Sequence, residues 1–167
     1  NQVSLYINEY NLNGVSLRDP LKLFTDLNSN IIEFTYDDHW RSKGIKPSIS
    51  KLSDKQFLIS WTDNQNIYAK VLNQNFEILH EFQESSKNTL QNLTSVLLEN
   101  NNILFSWFEQ TGTNASGKPV GSIKSMLSDQ SLNKSSQFTV SSNSLVTDVD
   151  YFNNTVLSNG EIAFVHG

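Results

Sequence analysis

The chain contains no cysteine. Disulfides, thiol nucleophiles and thiolate-ligated zinc are therefore excluded, while compartment is left undecided. Charge is also scarce, at 17 % of residues, and 12 Lys and Arg against 17 Asp and Glu give a formal net charge of -5. No basic run could track a phosphate backbone, which argues against nucleic acid as a partner. Long apolar runs are missing as well: none approaches the roughly 20 residues of a membrane span. The opening residues do not read as a signal peptide, and because the sequence starts and stops within strand-like segments it reads as a mature or trimmed fragment.

What is present is a hydrophobic content of 37 %, enough at 167 residues to bury a core. The polar surface is built from Asn, Ser, Thr and Gln, with Asn alone at 21 residues. An AT-rich genome and a functional choice would both produce that excess.

The apolar segments recur. Phe57-Leu58-Ile59-Ser60-Trp61 is followed by a polar turn and Ile67-Tyr68-Ala69-Lys70-Val71-Leu72. Val96-Leu97-Leu98, a polar turn and Ile103-Leu104-Phe105-Ser106-Trp107 repeat the scheme, and Asn154–Leu157 with Ile162–Val165 form a weaker copy. Three hairpins share a second shape: residues 3–17 around Asn11-Leu12-Asn13-Gly14, residues 67–79 around Asn73-Gln74-Asn75, and residues 121–132 around Ser128–Ser131. The return strands extend toward Phe24, Phe82 and Phe138. The best helical candidate, Ser86–Leu98, carries β-branched residues and lacks a 3.6-residue stripe.

The fold expected is all-β, a series of tandem four-stranded antiparallel sheets arranged as a β-propeller, a partial propeller or a stack. Residues 1–24 read as the second half of a repeat and 25–47 as a long connecting loop. Residues 48–82 and 83–140 read as two repeats, the latter with a loop at 109–119, and 141–167 as the first half of another.

This pattern resembles the tandem Trp-strand repeats of bacterial cell-surface and secreted proteins. Phe57–Trp61, Asp63, Ile67–Leu72, Asn73-Gln74-Asn75 and Glu81-Phe82 carry the likeness most fully; Ile103–Trp107, Glu109, Ile123–Leu127 and Gln137-Phe138 carry it more loosely. The turn glycine of such repeats survives only as Gly14 and Gly160, and His166 replaces a third Trp. The resemblance implies blade-like sheets and an extracellular or cell-surface scaffold or adhesin-like role, with no catalytic residues to transfer.

Candidate site residues fall in the longest connector. Tyr36-Asp37-Asp38-His39-Trp40-Arg41 gathers carboxylates, an imidazole, an indole and a guanidinium in a segment that does not repeat. Loops on rigid sheets commonly carry recognition. Tyr36 and Trp40 suit stacking on a sugar or protein side chain, and Asp38 and Arg41 suit charged hydrogen bonds. The alternative is a loop that covers a blade face or an inter-domain seam. Three consecutive ligands at Asp37, Asp38 and His39 converge poorly on a metal, and calcium would need further oxygens from Asp63 or Asp129. No cofactor or metal is expected.

Trp61 and Trp107 are either stacking platforms or, being repeated, packing residues. A glycoside hydrolase would need a carboxylate pair, for which Asp148 with Asp150 or Glu33 with Asp37 are available. The Asp-box of sialidase-like propellers, the nucleophile elbow, the His-Glu-x-x-His string and phosphate-binding glycine loops are all missing. Sequons at Asn92, Asn114, Asn133 and Asn153 match the number that composition alone yields. The expectation is a non-enzymatic module that presents loops to protein or glycan at the cell surface, with neighbouring repeats or self-assembly as further contacts. A propeller-type carbohydrate-active enzyme is the alternative.

Overall fold

Twelve strands, and no helix, make up the described residues 3–26, 47–63, 65–117, 119–145 and 153–165 of the computed structural model. The chain divides into two units, Asn1–Ile45 and Lys46–Gly167.

In the first unit β1 (Val3–Ile7) pairs antiparallel with β2 (Leu21–Asp26), with a register shift between Leu5 and Tyr6. The expected return at Val15–Leu17 is reduced to one bridge, Tyr10↔Ser16. The return strand proper starts just after Pro20, a residue with no N–H to give to a ladder.

The second unit contains β3 (Ser48–Lys51), β4 (Gln56–Thr62), β5 (Asn66–Asn73) and β6 (Ile78–Ser85) as an antiparallel sheet in chain order. A second sheet has β7 (Thr89–Leu97), β8 (Ile103–Thr113), β9 (Pro119–Ser128) and β10 (Phe138–Leu145) in the same order. β11 (Asn153–Val156) and β12 (Ile162–Val165) form a two-stranded antiparallel sheet. Tandem four-stranded antiparallel sheets are thus as the sequence indicates. The propeller-blade likeness is corrected: the described strands form two four-stranded and two two-stranded sheets, all open, and none closes into a barrel or ring. The repeated strings report local hairpin packing, which an open stack satisfies as well as a ring.

The core lies between the two four-stranded sheets. Leu58, Ala69 and Val71 from one meet Ile103, Phe105, Trp107 and Met126 from the other. Phe82 of β6 sits edge-on to Phe105 of β8, with ring centroids 5.3 Å apart and planes at 82°. Burying side chains of this size stabilises the fold by about 1.5–3 kcal/mol each. The opposite face of the second sheet also buries Leu104, Ser106, Phe108 and Ile123. A strand buried on both faces shows no polar–apolar alternation, which is why Ile103–Phe108 and Phe57–Trp61 read as nearly continuous apolar runs.

One turn geometry recurs five times among the described residues. The N–H of Asn11, Asn73, Leu98, Asp129 or Leu157 donates to the carbonyl four residues on, and that residue's own carbonyl accepts the N–H three residues on. The third residue adopts positive φ: Gly14 (76°), Phe76 (67°), Asn101 (62°), Leu132 (63°) and Gly160 (79°). This is a type I turn closed by a left-handed residue, the commonest of the longer hairpin loops. In three copies a side chain completes it. Asn11 Oδ1 accepts the N–H of Asn13 at 2.9 Å and of Val15 at 3.0 Å. Asn73 Oδ1 accepts Asn75 at 2.8 Å and Glu77 at 3.0 Å, and Asp129 Oδ1 accepts Ser131 and Asn133 at 2.9 Å each. Part of the Asn excess therefore has a structural cause: a short amide or carboxylate side chain closes the turn where glycine is sparse.

Candidate functional site

Tyr36, Asp38, Trp40 and Arg41, with Asp37 and His39 between them, lie outside the described residues. So do Glu33, Asp148, Asp150 and His166.

Trp61 and Trp107 are buried, at 0 % and 1 % exposure. Trp61 stacks on Tyr68 with centroids 5.2 Å apart and planes at 13°, and Trp107 belongs to the inter-sheet core. Both are packing residues, with no face left for a ligand.

The carboxylates considered for calcium are engaged in local structure. Asp63 follows Trp61 at the β4–β5 turn, and its Oδ1 accepts the Asn66 N–H at 2.8 Å and side-chain amide at 2.9 Å. Its Oδ2 accepts the Tyr68 hydroxyl at 2.6 Å. Glu109, at the matching position after Trp107, accepts the Ser86 hydroxyl at 2.8 Å and the Asn88 amide at 3.2 Å. Asp129 Oδ2 accepts the Asn133 side-chain amide at 2.8 Å. That bond, then the Asn133 backbone N–H, holds the Asp129 carboxyl below the usual carboxylate range, with a smaller pull from His80. Among the described residues no group of three His, Asp or Glu side chains is placed to hold a metal ion.

The sheet-to-sheet junction is also polar at its centre. Ser60 Oγ of β4 donates to Ser95 Oγ of β7 at 3.1 Å, and Ser50 Oγ of β3 donates to the Ser95 carbonyl at 2.9 Å. At the next junction the Asn154 amide of β11 donates to Ser106 Oγ of β8 at 3.0 Å. Ser60 and Ser106 both precede the Trp, and Ser95 and Asn154 both lie three residues before a turn leucine. One hydrogen-bond position is thus used at two successive junctions. At the outer rim Lys134 pairs with Glu84 and lies over the Phe82 ring, 5.2 Å from its centroid.

The exposed apolar side chains concentrate elsewhere. The hairpin of the first unit exposes Tyr6, Tyr10, Leu12, Val15 and Leu17, with Leu12 fully in solvent. Alignment on Asn11, Asn73 and Asp129 places Leu12 where the other hairpins carry Gln74 and Gln130, and Val15 where they carry Glu77 and Asn133. The signal was present in the sequence as an apolar residue at a turn tip, Asn11-Leu12-Asn13-Gly14, but only the shared turn geometry shows which positions correspond. Arg18 Nη2 lies 2.6 Å from Glu9 Oε2 at the base of this loop. The arrangement offers shape and apolar area rather than acid–base chemistry. No known family model matches the chain, and no curated protein or solved structure matches it.

Proposed function

We propose that the chain is a scaffold-type interaction module that contacts a protein partner through the tip of its first hairpin. The observation that supports this is the apolar substitution of that tip: Leu12 and Val15 stand, exposed, where the equivalent turns carry Gln and Glu or Asn. Exposed apolar clusters on an otherwise polar surface mark contact sites. In the second unit Asp63, Glu84, Glu109 and Asp129 are committed to turns and rims. An extracellular or cell-surface setting, as for adhesin-like modules, belongs to the same proposal.

The test is biolayer interferometry of the immobilised chain against panels of extracellular proteins and of glycans. A Leu12→Ser/Val15→Ser/Leu17→Ser variant and a Trp40→Ala/Arg41→Ala variant are run beside the wild type. Saturable binding to a protein that the tip variant loses by tenfold or more, with unchanged thermal unfolding, supports the proposal. Equal binding by the tip variant, or no saturable binding of the wild type to any protein, overturns it. Binding only to glycans, lost in the Trp40/Arg41 variant, would move the site to the long connector.

A further inference from the structure

Asn-Gly occurs twice in the chain, at Asn13-Gly14 and Asn159-Gly160. Both pairs hold the same two positions of the recurrent turn. Each glycine has positive φ, 76° and 79°, and donates its N–H to the carbonyl three residues back, Asn11 at 3.0 Å and Leu157 at 2.9 Å. A glycine has no Cβ, so its backbone nitrogen reaches the preceding side-chain amide with least hindrance. The backbone is alike in the two turns, and a difference in reactivity must come from what surrounds them.

The surroundings differ in three ways. The Asn159 amide is held at both ends: Nδ2 donates to Glu161 Oε2 at 2.8 Å, and Oδ1 accepts the Glu161 N–H at 3.1 Å. Asn13 is exposed and makes no side-chain hydrogen bond among the described residues; only its backbone N–H is bound, to Asn11 Oδ1. Carboxylates also stand beside Gly160: Glu161 follows it, and Glu99 Oε2 lies 3.5 Å from where its Cβ would be. Nothing lies within 4 Å of that point at Gly14. Nearby negative charge opposes the loss of a proton from an amide nitrogen. Finally, the Val156↔Ile162 pair of the β11–β12 ladder clamps the Asn159 turn directly. Between the Asn13 turn and the last ladder pair, Ile7↔Leu21, stands one isolated bridge, Tyr10↔Ser16. Such a loop opens locally at lower cost.

We infer that Asn13 is a self-modifying site, at which the folded chain converts its own asparagine to aspartate and isoaspartate, while Asn159 is protected. The Gly14 nitrogen gives up its proton to solvent and bonds to Asn13 Cγ. The Cγ–Nδ2 bond breaks, and Nδ2 takes a proton and leaves as ammonia. Water then opens the resulting succinimide. Attack at Cγ returns an ordinary backbone with an aspartate; attack at the main-chain carbonyl carbon of residue 13 routes the chain through the side chain as isoaspartate. No electrons are exchanged, and water is the only co-reactant. Either product puts a carboxylate beside Leu12, and isoaspartate also adds a methylene to the turn backbone. Loss of a partner on this change rests on the proposed tip contact; the chemistry at Asn13 does not.

The full chain is incubated in mildly alkaline buffer, with and without denaturing urea. Its peptides are followed by tandem mass spectrometry, with isoaspartate and aspartate forms separated by chromatography. No partner is needed, so the outcome is independent of the tip contact. In the folded chain Asn13 is expected to convert at least tenfold faster than Asn159, within several-fold of its own rate in urea, and with isoaspartate in excess. In urea the two rates are expected to converge. A Glu99→Gln/Glu161→Ala variant is expected to speed Asn159 several-fold and to leave Asn13 unchanged; the wild-type comparison stands without it should that variant fold poorly. Similar rates at the two sites in the folded chain overturn the inference. A difference that persists in urea overturns it too, by tracing the contrast to neighbouring sequence rather than to the fold. Aspartate formed without isoaspartate overturns the succinimide route.

Discussion

Ser60 and Ser95 meet hydroxyl to hydroxyl at 3.1 Å inside the first sheet-to-sheet junction. Ser60 is wholly buried, whereas Ser95 also has Ser48 and Ser50 beside it, at 3.3 and 3.4 Å. The two substitutions are therefore unequal. Ser95→Ala removes the acceptor for Ser60 and is expected to cost about 1–3 kcal/mol, the penalty for a buried polar group left unmade. Ser60→Ala removes one donor from a site that keeps others and is expected to cost less than half as much. Urea unfolding of both single variants and the double variant checks this, with a coupling term expected between contacting residues.

Phe76 and Leu132 hold left-handed backbone without being glycine, and each does so for a side-chain contact. Phe76 packs edge-on against Phe57 at 5.6 Å and 81°, whereas Leu132 is buried in the inter-sheet core. In Phe76→Gly, relief of the backbone, on the order of 1 kcal/mol, offsets a lost aromatic pair of about 0.5–1.5 kcal/mol. That variant is expected to be nearly neutral. Leu132→Gly gains the same relief but leaves a core cavity, for which Leu→Ala changes cost about 2–5 kcal/mol. It is expected to be clearly destabilised. Equal midpoints in chemical unfolding would refute the division.

These turns show what the sequence could and could not reveal. The continuous apolar runs Phe57–Trp61 and Ile103–Phe108 were legible as buried strands, because burial on both faces leaves no alternation to hide them. The Asn-rich turns were legible as turns. That Phe76 and Leu132 take the glycine position was not, because side-chain packing in the assembled sheets overrides local backbone preference there. The propeller-blade likeness fails for a related reason: repeated hairpin strings specify how one sheet packs on the next, and the angle that would close a ring leaves no mark in them. The charged and aromatic cluster Tyr36–Arg41 stood out by its composition alone, without the spacing that would fix its geometry.

Gly121 occupies a place where the β8 backbone comes too close for a side chain. A Cβ there would stand 2.1 Å from the Glu109 carbonyl oxygen and 2.8 Å from the Phe108 ring. Gly112, across the same hairpin, has open space at its Cβ. Gly121→Ala must push β8 and β9 apart and is expected to cost about 1–3 kcal/mol or more, as overpacking does. Gly112→Ala is expected to stay within about 0.5 kcal/mol of the wild type, as surface changes do. Thermal unfolding of the two variants, equal in chemistry and opposite in space, separates the close approach from a general glycine effect.

Asp129 is the side-chain cap whose strength depends on pH. Its carboxyl lies below the ordinary value because Asn133 and Ser131 donate hydrogen bonds to the ionised form. A depressed folded-state pKa means that the unfolded chain takes up the proton first as pH falls. The stabilisation is therefore complete above the ordinary carboxylate range, near pH 4 for an unperturbed Asp, and is lost as pH falls through the lower folded value. Asp129→Asn keeps an acceptor oxygen for the Ser131 and Asn133 N–H groups, as Asn11 and Asn73 do in the sister turns, and cannot titrate. Wild type is expected to be the more stable near pH 7, and the gap to narrow or close toward about pH 2. Asp54, lowered by its hydrogen bond and ion pair with Lys51, titrates in both proteins and so cancels in the comparison. A gap that stays constant from neutral to acid pH would show that the turn bonds do not depend on the carboxylate charge.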